Sequence, residues 1–495
     1  MLLQESGSDR SDDPQAAASH PENPAMTANP EEKQRERPCL GPRRIALETL
    51  GTVLATQKQA QEVLEAKLSR LHLGEEDRAL ARELVSGCVR RLATLDAVLG
   101  AYLARPVDSL ADSVRHLLRI GIYQLLFLDR IPPHAAVNET VALAAAIHQP
   151  AARGLVNAVM RQILREVEVR ASAEGVAPRR AVPIRPGRWC VFARDILPAP
   201  EADRIAWLAA AYSFPAWLVQ RWVARFGEEE ARRLFIIANE AAPLFLRPRQ
   251  GRADVASLMT RLAAAGVVAT ISPSGRTVRL DTRVNVAQLD VLREGLCLVQ
   301  DDSAAAVVPA LDLAPGHQAL DLCAAPGGKA CQMAEAVGEG GRVVAVDVNA
   351  SRLQRLRENM ERLGLYNIAI VVADATKLEP ALFHGKFDCV LVDVPCTNTG
   401  VLRRRVEARW RIQPADLQSL PVLQLALAKS GALALRPGGI MAYSTCSLEP
   451  EENEVVVRAL LAAFPGLVLE REERILPALD GGDGVYFACL RLGGQ

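Results

Sequence analysis

The chain has 495 residues, 49% of them apolar, which is room for about three domains with ample material for buried cores. Lys plus Arg and Asp plus Glu both number 58, so the net charge is zero and a polyanionic partner needs a local basic face. No apolar run is long enough to cross a bilayer, and the opening MLLQESGSDRSDD lacks the basic and apolar regions of a signal peptide. The ten cysteines are scattered without a CxxC pair, which points away from a zinc site or a disulfide framework and toward a reducing, cytoplasmic setting.

Residues 1–40 are rich in Ser, Asp, Glu, Pro, Gln and Ala; they bury too little surface to offset their ordering entropy and are expected to be disordered. Residues 41–170 carry helical periodicity throughout, as in Ile45, Leu47, Leu50, Val53 and Leu54, and again in Leu80, Leu84, Val85 and Val89. The run Ser113–Leu128 is apolar nearly all round, which suits the central helix of a bundle. An all-α domain without a catalytic constellation is predicted here. Residues 171–205 begin rich in Ala, Pro and Arg and read as a linker. Residues 206–295 read as a small α/β unit, with a helix opened by Phe214-Pro215, a strand at Leu244–Arg247, a helix at Leu258–Ala265 and a strand at Val267–Ile271. Residues 296–495 carry strand–turn–helix patterns and read as a doubly wound α/β domain.

Within that domain, Ala319-Leu320-Asp321-Leu322 is an apolar strand that runs into Cys323-Ala324-Ala325-Pro326-Gly327-Gly328-Lys329, with a helix from Ala330 to about Val337. Small residues let the backbone approach a ligand closely, and a helix N-terminus presents free N–H groups. The pattern is neither G-x-G-x-x-G nor a phosphate-binding loop, so a dinucleotide is not favoured. Three further strands end in acids, at Asp347, Asp374 and Asp393. Asp347 can accept from both ribose hydroxyls of a nucleoside, and Asp374 can flank an adenine amino group. Carboxylates and small residues in place of phosphate-binding amides fit S-adenosyl-L-methionine, a nucleoside bearing a sulfonium cation and no phosphate.

Two cysteines follow motifs at strand ends, Cys396 after Asp393-Val394-Pro395 and Cys446 after Tyr443-Ser444-Thr445. A lone thiol is more often buried and inert. Methylation at C5 of a pyrimidine, however, needs one: C5 of cytosine is a poor nucleophile, and thiolate addition at C6 makes C5 an enamine carbon that can attack a sulfonium methyl group. Asp393 can hydrogen-bond the base, and Lys329 can lower a thiol pKa or contact the base. The basic run Arg403-Arg404-Arg405 with Arg409-Trp410-Arg411 is expected to contact RNA phosphates.

The segments Arg43–Ala46, Glu76–Arg78, Leu118–Leu126, His134–Val141 and Gly154–Arg161 resemble the NusB-type RNA-binding helical domain, in the version fused to bacterial ribosomal RNA cytosine-5 methyltransferases. Asp321–Lys329, Asp393–Cys396, Tyr443–Ser447 and Pro450–Glu454 resemble the RNA cytosine-5 methyltransferase family, in motif order over residues 43–490. The resemblance implies an all-α NusB-like N-terminal domain plus an α/β Rossmann-like class I methyltransferase domain. It implies S-adenosyl-L-methionine as cofactor, held by Cys323, Ala324, Ala325, Pro326, Gly327, Gly328, Lys329, Asp347, Asp374 and Asp393. It also implies Cys446 as nucleophile, Cys396 as the residue that assists product release, and Asp393 and Lys329 at the base. The expected partner is RNA, with 16S ribosomal RNA indicated by the helical domain; no DNA, no membrane and no metal are expected, and the chain is expected to act as a monomer. Pro248-Arg249 stands where the family commonly has Val-Asn, Val394 where it often has Ala, and Asn398 where a smaller residue is more frequent. A transfer RNA substrate shares all of this chemistry, and a non-catalytic RNA-binding assembly factor is the alternative of a different class.

Overall fold

The computed structural model describes residues 40–282 and 284–494; apart from Leu40, the segment expected to be disordered lies outside them. The described chain opens with helices α1 (Leu40–Ala55), α2 (Ala60–Leu68), α3 (Glu75–Arg90), α4 (Leu92–Ala101), α5 (Asp112–Phe127), α6 (Pro133–Ala146) and α7 (Arg153–Glu166). Helix α5 is central: Leu117, Leu118, Ile120, Ile122 and Leu126 are all buried. Its buried polar groups are satisfied within the bundle, because Arg119 forks onto Asp96 with two bonds of 2.7 Å and Gln124 accepts from Arg43 at 2.8 Å.

The expected linker at 171–205 is instead largely folded. Strands β1 (Val167–Arg170), β2 (Ala181–Arg185) and β3 (Arg188–Phe192) form an antiparallel sheet in the order β1-β3-β2. Val182, Ile184, Cys190 and Phe192 are buried, and Arg91 of the helical domain donates to the Pro183 and Ile184 carbonyls. Consecutive residues of β2 and β3, Pro183 included, are buried, so these strands carry no alternation that their sequence could show. Helices α8 (Arg204–Tyr212), α9 (Ala216–Phe226) and α10 (Glu228–Asn239) follow. Their aromatic cluster, with the Trp222 and Phe235 rings stacked at 5.6 Å and Phe214–Phe235 at 4.7 Å, is continuous with the core of the helical domain.

The unit expected at 206–295 therefore divides its packing. Its helices join the bundle, and the rest forms a four-stranded sheet of order β5-β6-β4-β7, from β4 (Leu244–Pro248), α11 (Val255–Ala264), β5 (Ala269–Ile271), β6 (Val278–Leu280), α12 (Asp290–Arg293) and β7 (Cys297–Val299). That sheet has a small core of its own around Leu246, Leu258, Leu262 and Cys297. Buried Arg247 fastens it to the next domain, donating to Gln300 at 2.6 Å and to Glu335 at 2.6 and 2.9 Å.

The last domain comprises β8 (Gln318–Asp321), α13 (Gly328–Val337), β9 (Arg342–Asp347), α14 (Ala350–Leu363), β10 (Ile368–Val372), α15 (Pro380–Phe383), β11 (Phe387–Asp393), α16 (Ala408–Arg411), α17 (Asp416–Ala434), β12 (Leu435–Thr445), α18 (Glu454–Ala463), β13 (Leu467–Ile475) and β14 (Val485–Leu492). The sheet order is β10-β9-β8-β11-β12-β14-β13, with the first five strands parallel and β14 antiparallel to both of its neighbours. Strand β11 is buried on both faces, which is why it reads as an unbroken apolar run. Strand β13 is an edge rich in Arg and Glu, so its sequence carries no core signal and its charges discourage further pairing. The register pairs Leu391 with Asp321 and Asp393 with Ser444, which gathers the acids and the Ser-Thr-Cys turn at one end of the sheet.

Candidate active site at the carboxyl end of the sheet

The turn after β8 descends closely onto α14. Gly327 has φ 109°, and a Cβ there would lie 2.5 Å from a Leu356 methyl, so only glycine fits. The turn leads into α13 and sets Lys329 in its first turn, where Nζ meets Asp393 Oδ2 at 2.6 Å. The other Asp393 oxygen accepts from the Ser444 hydroxyl at 2.9 Å. Burial pushes the Lys329 ammonium down, but Asp393 outweighs it, with Cys446 and Asp321 adding to the same side, and the net direction is up. Lys329 is held as a cation facing Asp393 and the Cys446 sulfur.

The two thiols meet. Cys396 Sγ lies 3.2 Å from Cys446 Sγ, and the Asn398 side-chain oxygen is 3.5 Å from Cys446 Sγ. The hydrogen bond to Cys446, and then burial, push the Cys396 thiol well above the ordinary range. Either sulfur can donate to the other. Asn398, the departure noted from the sequence, sits at φ 63°, a conformation Asn adopts more readily than most residues, and donates to the Cys396 carbonyl at 2.7 Å. Gly400 lets its loop pass against the backbone of Cys446: its N–H bonds the Cys446 carbonyl at 2.9 Å, and a Cβ would stand 2.8 Å from that oxygen.

Behind the thiols, Glu452 is fully buried and accepts from the Thr397 N–H and the Gln424 amide, both at 2.9 Å, and from the hydroxyls of Thr397 and Ser447. Asn453 accepts from Thr445 at 2.6 Å and donates to the Ser447 carbonyl at 3.0 Å, and Tyr443 donates to the Glu452 carbonyl at 2.6 Å. Thr397 and Ser447 each adjoin one of the cysteines, so Glu452 ties the two thiol loops together. The role of Glu452 and Asn453 is not legible in the Pro450–Glu454 motif itself; an acid and an amide directly behind a thiol-bearing strand are the local signal for it.

On the cofactor side, Asp321 is buried, and burial followed by the Asp393 charge pushes its carboxyl up to about 7. Asp347 accepts from the Ala325 N–H at 3.0 Å and the Asn349 N–H at 2.8 Å, which fixes the Cys323–Gly328 turn while leaving lone pairs on each oxygen. Arg352 supports the same turn through the Ala325 carbonyl at 2.7 Å. Ala324 and Ala325 are buried, Pro326 is exposed at the tip, and burial and the neighbouring acids push the Cys323 thiol well up. Asp374 belongs to a separate hydrogen-bond system: it accepts from the Thr376 N–H at 3.0 Å and hydroxyl at 2.6 Å and pairs with Lys377. The charges of Asp393 and Asp347 both oppose ionisation of Asp321. A sulfonium cation carrying ribose hydroxyls fits that donor-poor, acid-rich pocket.

The basic run expected to grip RNA is mostly spent inside the protein. Arg403 is buried on Asp483 and the Ala478 and Gly481 carbonyls, and Arg404 bonds Asp483, Asp301 and the Pro243 carbonyl. Arg409 is fully buried against the helical domain, Trp410 donates to the Val89 carbonyl at 2.7 Å, and Arg411 caps carbonyls at the end of α1. These charges join domains, which a linear pattern of arginines cannot distinguish from a solvated RNA-binding face. Arg405 is the exception.

A family model described as 16S rRNA methyltransferase RsmB/F matches residues 308–491. The ribosomal RNA small subunit methyltransferase B of Erwinia tasmaniensis is 33% identical over 90% of this chain and 97% of its own length, and that of Pseudomonas putida is 34% identical over 91% and 98%. The chain belongs to this family. Its members are S-adenosylmethionine-dependent RNA methyltransferases. The NusB family model matches residues 41–165, and a ferredoxin-like domain model of RsmF/B-like methyltransferases matches residues 214–287. Among solved structures, that of PH0851 has a TM-score of 0.73 at 23% identity, over 92% of this chain and 98% of its own, and shows the shared fold. A methyltransferase homologue from Pyrococcus horikoshii aligns over 59% of this chain and 99% of its own, with a TM-score of 0.52 and 26% identity. Within the described residues, no helix is long and apolar enough to cross a membrane.

Proposed function

We propose that this protein methylates C5 of a cytosine in 16S ribosomal RNA in the cytoplasm, as a monomer, through a covalent adduct between Cys446 and C6 of the base. The observation that carries the reading is the thiol pair, Cys446 and Cys396 at 3.2 Å, set beside the Lys329–Asp393 ion pair at 2.6 Å. The names of the relatives support the substrate. Bound adenosylmethionine supplies an electrophilic methyl carbon. Cys446 enters as a thiolate beside the Lys329 ammonium and forms the S–C6 bond, and the displaced C5=C6 electron pair makes C5 nucleophilic. Asp393 accepts from the exocyclic amino group and orients the ring. Once C5 carries the methyl group, its proton leaves to a base, the C5–H pair restores C5=C6 and the S–C6 bond breaks. The Cys396 thiol, 3.2 Å from the Cys446 sulfur, hydrogen-bonds the departing sulfur.

The test is transfer of labelled methyl from adenosylmethionine to unmodified small-subunit ribosomal RNA, with bulk transfer RNA alongside. The expected label is 5-methylcytosine in ribosomal RNA, absent with Cys446→Ala, while Cys396→Ala accumulates an RNA–protein adduct that survives denaturing gels. Label in transfer RNA alone would overturn the substrate. An active Cys446→Ala protein would overturn the chemistry, and RNA binding with no label in either RNA would make this a binding factor.

A further inference from the structure

Beside the thiol pair lies a cleft of about 470 Å³, lined on one side by Cys396, Asn398 and Arg405 and on the other by Gln57 and Gln59 of the helical domain. The α1–α2 turn that carries Gln57 and Gln59 reaches this place because Arg411 grips it. The guanidinium donates to the carbonyls of Val53, Thr56, Gln57 and Lys58 at 3.1, 3.2, 3.0 and 2.6 Å. With its donors used on backbone, Arg411 fixes the turn and offers little to a ligand. The side chains of Gln57, Lys58, Gln59 and Arg405 have no hydrogen bond or ion pair among the described residues, and Gln57 and Lys58 are exposed.

We propose that Arg405 and Lys58, one from each domain, seat the backbone phosphate of a nucleotide flanking the target cytosine, so that the helical domain supplies one wall of the substrate cleft. No aromatic side chain lines this cleft. Its lining offers guanidinium and amide donors and no stacking platform, and the exposed Lys58 stands on the turn between the two lining glutamines, which suits backbone positioning over base readout. Two acids also line it, Glu407, which is buried, and Asp416, which accepts from the Gln413 N–H at 2.8 Å; neither pairs with Arg405.

This proposal rests on the RNA methyltransferase reading, and the experiment separates the two. The full-length protein is assayed on small-subunit ribosomal RNA for KM and kcat, and RNA binding is measured independently by filter retention across a salt series. Arg405→Ala and Lys58→Ala are each expected to raise the KM for RNA about five- to tenfold with kcat within about twofold of wild type. Each should also reduce the log–log salt slope of binding by about 0.7–0.9. Arg405→Lys should restore the slope. Lys386→Ala, exposed on the turn before β11 at the opposite end of the sheet, is the control with an unchanged slope. Wild-type KM and slope in Arg405→Ala would overturn the seat even if methylation proceeds. A wild-type protein that binds RNA but transfers no methyl would instead overturn the enzymatic reading, with the binding slopes still deciding the seat.

Discussion

Arg409 offers the sharpest test of whether the basic run builds the protein or binds RNA. Its guanidinium is fully buried, lies 4.4 Å from the centre of the Phe214 ring, donates to Asn239 at 2.8 Å and the Ala238 carbonyl at 2.7 Å, and makes longer bonds of 3.2–3.4 Å to Ser213, Arg90 and Leu402. Arg409→Ala would strand the two short-bonded acceptors, at about 1.5–3 kcal/mol each for a charged donor. The lost packing on Phe214 adds to that, and relief from burying a cation offsets part of it. The net loss is about 3 kcal/mol. At roughly 2–4 °C per kcal/mol for a cooperative unit of this size, the first calorimetric transition should fall by about 6–12 °C. RNA binding measured well below that transition should keep the wild-type salt slope, because no phosphate contact is lost. An unchanged melting temperature with a salt slope reduced by about one unit would refute this reasoning and return Arg409 to the RNA-binding face.

Glu452→Ala removes the acceptor of four bonds and leaves the buried Thr397 N–H and Gln424 amide unpaired; adduct formation on RNA is expected to slow by about 100-fold as the thiol loops lose their register, and wild-type adduct kinetics would show that Glu452 does not hold them. Asp321 has its carboxyl pushed up to about 7 in the fold, from 3.8 when free, by burial and by Asp393. Between those values the folded state binds more protons than the unfolded state, so this group's contribution to stability is fullest below pH 4, falls as pH rises toward 7, and is flat beyond. Asp321→Asn should therefore gain on wild type by about 2–3 kcal/mol between pH 5 and pH 8 in urea unfolding, and a difference that does not vary with pH would contradict the assignment.

The sequence alone determined the class of this protein and the order of its parts. Strand-end acids, the small-residue turn and two motif-borne cysteines are local features, because β11 and β12 are buried on both faces and the turns at their carboxyl ends follow directly in the chain. The helical domain was legible for the same reason, since the periodicity of α5 is a property of one segment. Tertiary structure alone decided what depends on partners distant in sequence. Folding of the stretch around β2 and β3 depends on a bundle core almost a hundred residues away and on Arg91. The same holds for Glu452 linking two thiol loops, and for the arginines of 403–411 reaching Asp483, Ala238 and the end of α1. An arginine that will be buried on carbonyls and one that will face a phosphate are the same letter; what separates Arg409 from Arg405 is which of them the folded chain surrounds with acceptors.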